Sequence, residues 1–230
     1  NNSNRTRLKK SAIGYDISGL ELMSEETIDK KGSITSFYKY DSLFSLNELF
    51  KSERIQIEAT SFTVSEPVST YTIEPLVYKY ATDKEKTILK EKYKISEFEI
   101  EIIKLERIFI DKIFAAEFYY ERGMYEDVSK HLYDISIMIK NEDIKKLLKN
   151  KSELNKLIGY KRKEKQSRLG GISESKEIKN FDYMNLNFTN DLINAFNKMQ
   201  RIYVLDDESI ITIDDVKDTI KTLLEVFSNL

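Results

Sequence analysis

The sequence predicts an α+β protein that is helical over most of its length, with a small sheet early in the chain and a helical bundle after it. Three observations carry this reading. Two prolines and seven glycines in 230 residues, against abundant Ile, Leu, Lys and Glu, leave few interruptions to helical runs. Arg54-Ile-Gln-Ile-Glu-Ala-Thr60 alternates apolar and polar residues with the period of a half-buried strand. From Phe98 to Phe118 the chain is apolar almost all round, as a central, buried helix is. The texture changes near residue 82, which divides the chain into a mixed region, 1–82, and a helical domain, 83–230.

Taken in order, Arg5 to Ile13 reads as a short helix or a basic arm. Gly32-Ser-Ile-Thr-Ser-Phe-Tyr-Lys-Tyr40 follows a Lys-Gly turn and is rich in β-branched and aromatic residues, which favours a strand. In the next strand Ile55 and Ile57 share one face, Gln56 and Glu58 the other. Val68-Ser-Thr-Tyr-Thr-Ile73 alternates again, entered through Glu66-Pro67. Ser96 then suits the N-cap of a helix running to Arg122, with Glu97 and Glu99 favourably placed in its first turn. Gly123 closes that helix as a C′ residue. Further helices are expected over about Tyr125–Lys140, Asn141–Tyr160, Asn187–Tyr203 and Asp214–Phe227, with a break at Gly170-Gly171 and a polar Ser- and Lys-rich stretch to Asn180.

Composition removes whole classes of function. Hydrophobic residues at 40% and aromatics at 11% can build a core, so the chain is no disordered tail. No apolar run approaches the roughly 18–20 residues of a membrane helix. No basic n-region with an apolar h-region opens the sequence, and the expected compartment is the cytoplasm. Without cysteine there is no disulfide scaffold, thiolate zinc site or cysteine nucleophile. A single histidine, His131, rules out histidine-clustered metal sites. Net charge of −2 exerts no general attraction on nucleic acid.

Several residues remain as candidates. Glu58 is either an exposed strand carboxylate or a ligand for a hard cation such as Mg²⁺. Lys112 lies within Ile108-Phe-Ile-Asp-Lys-Ile-Phe-Ala115, where a lysine must snorkel, pair with a carboxylate or lose its proton. Its neighbour Asp111 cannot face it along the helix. Asp134 can: Lys112 stands 11 residues before Gly123 and Asp134 stands 11 after it, so antiparallel helices joined there bring the two to one height. Such a pair suits a structural ion bridge as well as chemistry. The run Tyr160-Lys-Arg-Lys-Glu-Lys-Gln-Ser-Arg168 has five basic residues in nine. It is a solvated helix face or a phosphate contact for nucleotide or RNA through Lys161, Arg162 and Arg168, a patch that Lys9 and Lys10 could extend. Gly32-Ser33 followed by Asp41 superficially resembles a phosphate-binding Gly-Ser…Asp signature. That motif must open a helix and lead to Asp-x-Asp; here a strand pattern follows, and the chain has no Asp-x-Asp.

Tyr40-Asp-Ser-Leu-Phe44, Ile55-Gln-Ile-Glu-Ala-Thr60, Leu105-Glu-Arg-Ile-Phe-Ile-Asp-Lys-Ile-Phe-Ala-Ala116, Lys130-His-Leu-Tyr-Asp-Ile135 and Arg168-Leu-Gly-Gly-Ile172 occur in that order. Together they resemble the AbiEii/AbiGii family of nucleotidyltransferase-like toxins, which includes the MenT toxins. The resemblance implies a polymerase-β-like nucleotidyltransferase sheet, with 1–82 its C-terminal part, followed by a helical domain. It implies a toxin of a type IV toxin–antitoxin or abortive-infection system, with an antitoxin partner. Its reaction would move a nucleotide from an NTP to an acceptor such as tRNA, with Mg²⁺. Glu58 falls at the family's strand carboxylate, Lys112 at its active-site lysine and Asp134 at its active-site aspartate; Arg107 and His131 match motif positions expected to bind substrate. The family's Gly-Ser/Thr and Asp-x-Asp precede everything matched here, so the expectation is a fragment, inactive as it stands, of an active parent. The alternative is a non-catalytic helical module that binds an antitoxin or nucleic acid.

Overall fold

The computed structural model describes residues 19–30, 33–41, 54–60, 67–166, 176–204 and 206–230. The predicted helix or arm at Arg5–Ile13, and Lys9, Lys10, Arg168 and Gly170-Gly171, lie outside the described residues. Along the chain come β1 (Glu21–Leu22), β2 (Ile28–Lys30), β3 (Ser33–Lys39), β4 (Arg54–Thr60) and β5 (Val68–Ile73). They are followed by α1 (Leu76–Lys79), α2 (Asp83–Tyr93), β6 (Phe98–Ile103), α3 (Leu105–Tyr120) and α4 (Tyr125–Met138). The chain closes with α5 (Glu142–Lys149), α6 (Lys151–Gln166), α7 (Asn190–Tyr203) and α8 (Ile213–Ser228).

β3 is the central strand of an antiparallel sheet. β4 pairs along its whole length, from Ser33↔Thr60 to Lys39↔Arg54. β2 and β1 share its other edge, through Ile28↔Thr35 and Leu22↔Tyr38. The period of two sets Ile34, Ser36 and Tyr38 beside Ile55, Ile57 and Ala59 on one face, and leaves Glu58 on the other, opposite Thr35. Ile34 and Tyr38 are fully buried.

The segment before α3 departs from the sequence expectation. Phe98–Ile103 is a strand paired antiparallel with β5, in the register Tyr71↔Ile100 and Ile73↔Phe98. Ser96 therefore caps no helix; its hydroxyl donates to the Glu97 carbonyl instead. The reason is the alternation of Glu97, Glu99 and Glu101 with Phe98, Ile100 and Ile102, a period of two that sums to the same apolar content as a buried helix. The helix begins at Leu105, after Lys104.

α3 and α4 form the spine of the helical part. Gly123 between them has φ of +65°, a left-handed backbone that favours glycine. Phe109, Ile110, Ile113, Phe114 and Ala116 of α3 pack with Val128, Leu132 and Ile135 of α4, Leu192 and Phe196 of α7, and Val216, Ile220 and Leu223 of α8, all at 0–1% exposure. Phe181 closes this core edge-on to Phe114, with ring centres 5.3 Å apart. Each such aromatic or aliphatic side chain contributes roughly 1.5–3 kcal/mol by leaving water. Buried Gln200 ties α7 to the start of α8: its Nε2 donates to the Ile211 carbonyl and its Oε1 accepts the Ile211 N–H, both at 2.9 Å.

The single helix expected over Asn141–Tyr160 is two helices. Asn141 caps α5 by accepting the Asp143 N–H at 2.8 Å. Asn150 leaves helical backbone, and its side chain accepts the Glu153 N–H at 3.2 Å, so a second N-cap lies within the apolar pattern. Among the described residues no helix is long and apolar enough to cross a membrane.

Candidate functional site

Lys112 on α3 and Asp134 on α4 meet, Nζ to Oδ2 at 2.6 Å. Their side chains keep 30% and 36% of their surface in solvent. An ion pair that wet contributes about 0–1 kcal/mol to stability. The lysine is partnered and reachable from solvent. His131 precedes Asp134 by three residues and so shares its helix face. The imidazole stacks on Tyr119, with centroids 5.3 Å apart and planes inclined by 20°. Its Nδ1 is buried without a hydrogen-bond partner among the described residues. Burial first, and the Lys112 ammonium second, lower its pKa from 6.5 to about 4, against the opposing pull of Asp134 and Asp127. His131 is thus neutral at physiological pH.

One turn before Lys112 stands a second ionic group. Arg107 is fully buried and donates through Nη1 to Asp111, four residues on. Lys161 of α6 reaches the same Oδ1 at 2.8 Å with only 12% of its side chain exposed. Asp111 is therefore flanked by two cations and fastens α6 to α3. Arg162 is also turned inward: its Nη2 donates to the Lys176 carbonyl at 3.1 Å, and its guanidinium lies 5.7 Å from the centre of the Phe114 ring. Lys161 and Arg162 thus contact the protein itself, and Arg168 lies outside the described residues. Asp111 is a site residue that the sequence reading misses. Its i,i+4 spacing from Arg107 is visible, but the lysine 50 residues on is not.

Glu58 is exposed on β4. Among the described residues no contact joins it to Lys112 or Asp134. A richer carboxylate group lies elsewhere: Glu117, Glu121 and Asp182 offer oxygens within 4.8 Å of one another. A cation is already there. The Lys176 ammonium contacts Glu117, and reaches Glu121 and Asp182 at 3.0 Å each. Burial opposes its charge, but the hydrogen bonds it donates to all three carboxylates outweigh that and raise its pKa. Fully buried Glu117 also accepts the backbone N–H of Asp182 at 2.8 Å. This cluster does not fit Mg²⁺, which would have to displace the lysine, and Glu58 alone supplies too few oxygens for an octahedral ion.

Several cavities flank the helices, and two of them bear on function. One, of about 620 Å³, opens between the β5–β6 ribbon and the start of α3, with Tyr71, Ile102 and Ile108 in its walls. The other, of about 570 Å³, lies between α5 and α8 over Ile139, Leu148 and Val226.

Comparison with known proteins bears on the site as a whole. The family model described as nucleotidyl transferase AbiEii toxin, type IV toxin–antitoxin system, matches residues 10–207. No curated protein and no solved structure matches the chain. The matched span holds Glu58, Arg107, Lys112, His131, Asp134, Lys161, Arg162 and Arg168. The chain belongs to the AbiEii nucleotidyl transferase toxin family of type IV toxin–antitoxin systems.

Proposed function

We propose that Lys112 and Asp134 carry the phosphate-handling part of a nucleotidyl transfer from an NTP to an RNA acceptor such as tRNA. The single observation supporting this is the 2.6 Å pair itself, whose two side chains keep about a third of their surface in solvent, 30% and 36%. Lys112 would neutralise charge developing on the phosphates during transfer. Asp134 would hold the lysine charged and aimed. Neutral His131 adds no positive charge to compete with Lys112, and Arg107 and Lys161 position α3 through Asp111. Substrate contact by His131 and Arg168 belongs to the same proposal; contact by Arg107, Lys161 and Arg162 would require these side chains to leave the partners they hold, Asp111 and the Lys176 carbonyl. So does Mg²⁺, toward which Glu58 is the carboxylate these residues would contribute, and so do a cytoplasmic location and the division at residue 82.

The test is label transfer from an α-labelled NTP to tRNA by the natively expressed protein with Mg²⁺ present. Wild type is expected to label the RNA and Lys112→Ala to leave it unlabelled; a Lys112→Ala protein that labels as well as wild type contradicts the reading. The 230 residues by themselves, which contain no Asp-x-Asp, are expected to transfer nothing.

One observation favours a second reading, a module that binds an antitoxin. The groove between α5 and α8 has Lys140, Lys145 and Lys149 along one wall and Asp215 and Asp218 along the other, a charge pattern that suits an amphipathic helix of reversed polarity. Loss of antitoxin binding in Leu148→Asp, with label transfer unchanged, would support it.

A further inference from the structure

The cleft between the β5–β6 ribbon and α3 lies beside the Lys112–Asp134 pair. Ile108 lines it and stands four residues before Lys112, on the same face of α3 and about 6 Å along the axis. Asn141, the N-cap of α5 three residues past the end of α4, also lines it. The register Ser69↔Ile102 and Tyr71↔Ile100 turns one face of the ribbon, with Tyr71, Ile73 and Ile102, toward this space, and Leu105 and Ile108 oppose it. The walls are mixed: Ile73, Ile102 and Ile108 supply apolar surface, the hydroxyls of Ser69 and Thr72 lie among them, and the Tyr71 ring stays 45% exposed. Polar groups sit at the rim. The Asn141 carbonyl oxygen is engaged by the Asp143 N–H, which leaves its amide Nδ2 to donate. Glu106 and Asp143 at the same rim outnumber the one cation there, Lys104, so an anion gains little. A volume of about 620 Å³ is within the range of small-ligand sites.

These features suit a flat, neutral, hydrogen-bonding ring better than a phosphate. We propose that this cleft holds the nucleobase of the nucleoside triphosphate whose phosphates lie at Lys112, an inference that rests on the function proposed above. The base stacks on Tyr71 between the ribbon and Ile108, and the one-turn offset along α3 leaves the ribose to bridge base and phosphate. Since a ring face and an amide at its edge accept any base, the site discriminates nucleotide from bare polyphosphate more than one base from another.

Calorimetric titration of the 230-residue chain tests this with three probes: the four NTPs, inorganic tripolyphosphate and a short single-stranded RNA. NTPs are expected to bind roughly tenfold more tightly than tripolyphosphate, the gain that stacking of one base supplies. Tyr71→Ala and the cleft-filling Ser69→Trp are expected to remove that gain without changing tripolyphosphate binding, which also shows that both variants fold; Tyr71→Phe should keep it. If Tyr71→Ala and Ser69→Trp bind NTPs like wild type while Lys112→Ala still weakens them, the base lies elsewhere: the inference fails and the proposed function stands. If Lys112→Ala alters neither NTP nor tripolyphosphate binding, the proposed function itself fails. If RNA, and not NTP, responds to Tyr71→Ala, the cleft receives the acceptor's base and the donor assignment is overturned.

Discussion

Five residues apart on α3, Lys112 and Glu117 each join a lysine to a carboxylate, and the two contacts have opposite physical characters. Glu117 is fully buried, and its partner Lys176 answers three carboxylates at once. That charge is saturated from within, and it fastens the segment around Asp182 to the core helix. Lys112 answers one carboxylate, Asp134, at the edge of solvent. Removing one member of a buried pair strands a charge in low dielectric, whereas a wet pair separates at little cost. The same residue types therefore hold the fold together at one position and remain available to a ligand at the other. Carboxylate count is a poor guide to function here: the group richest in acids is the one least able to take a metal.

The sharpest way to break this contrast is Lys176→Met. It should destabilise the protein by about 3 kcal/mol, a fall of roughly 6–12 °C in melting temperature for a chain of this size. Glu117→Gln combined with Lys176→Met should recover most of the loss, because no charge is then stranded; equal melting of the single and double variants would contradict it. Next comes pH. The folded His131 pKa of about 4 lies below its unfolded value near 6.5, so the unfolded chain binds the extra proton between them. Its stabilising effect is complete above about pH 6.5 and is lost as pH falls toward 4, amounting to about 1–2 kcal/mol after solvent screening. Urea midpoints across that window should show a slope that His131→Gln removes. Smallest in stability is Lys112→Ala, expected to shift the unfolding free energy by under about 1 kcal/mol while abolishing toxicity. A loss as large as that of Lys176→Met would place Lys112 among the structural residues.

What the sequence makes legible follows from distance along the chain. The Lys112–Asp134 contact can be read because a glycine stands midway between two helices, so equal counts on either side give equal heights. The sheet around β3 is readable in the strict alternation of Ile55 and Ile57 with Gln56 and Glu58. β6 is misread as helix although Phe98-Glu-Ile-Glu-Ile-Ile103 also alternates, since the apolar content of α3 continues straight into it. Asp111 and Glu117 are missed for a different reason. Their partners, Lys161 and Lys176, lie 50 and 59 residues away, and no local period encodes which distant lysine a buried acid will meet. The inward turn of Lys161 and Arg162 is hidden likewise: a basic run reads as surface until the helix it occupies is packed.

The most direct measurement is made on Asp134→Ala in the natively expressed protein, with growth arrest on expression and melting temperature recorded on the same protein. The account predicts a protein that melts within about 4 °C of wild type and no longer arrests growth. An Asp134→Ala protein that is still toxic, or one that melts as low as Lys176→Met, would contradict it.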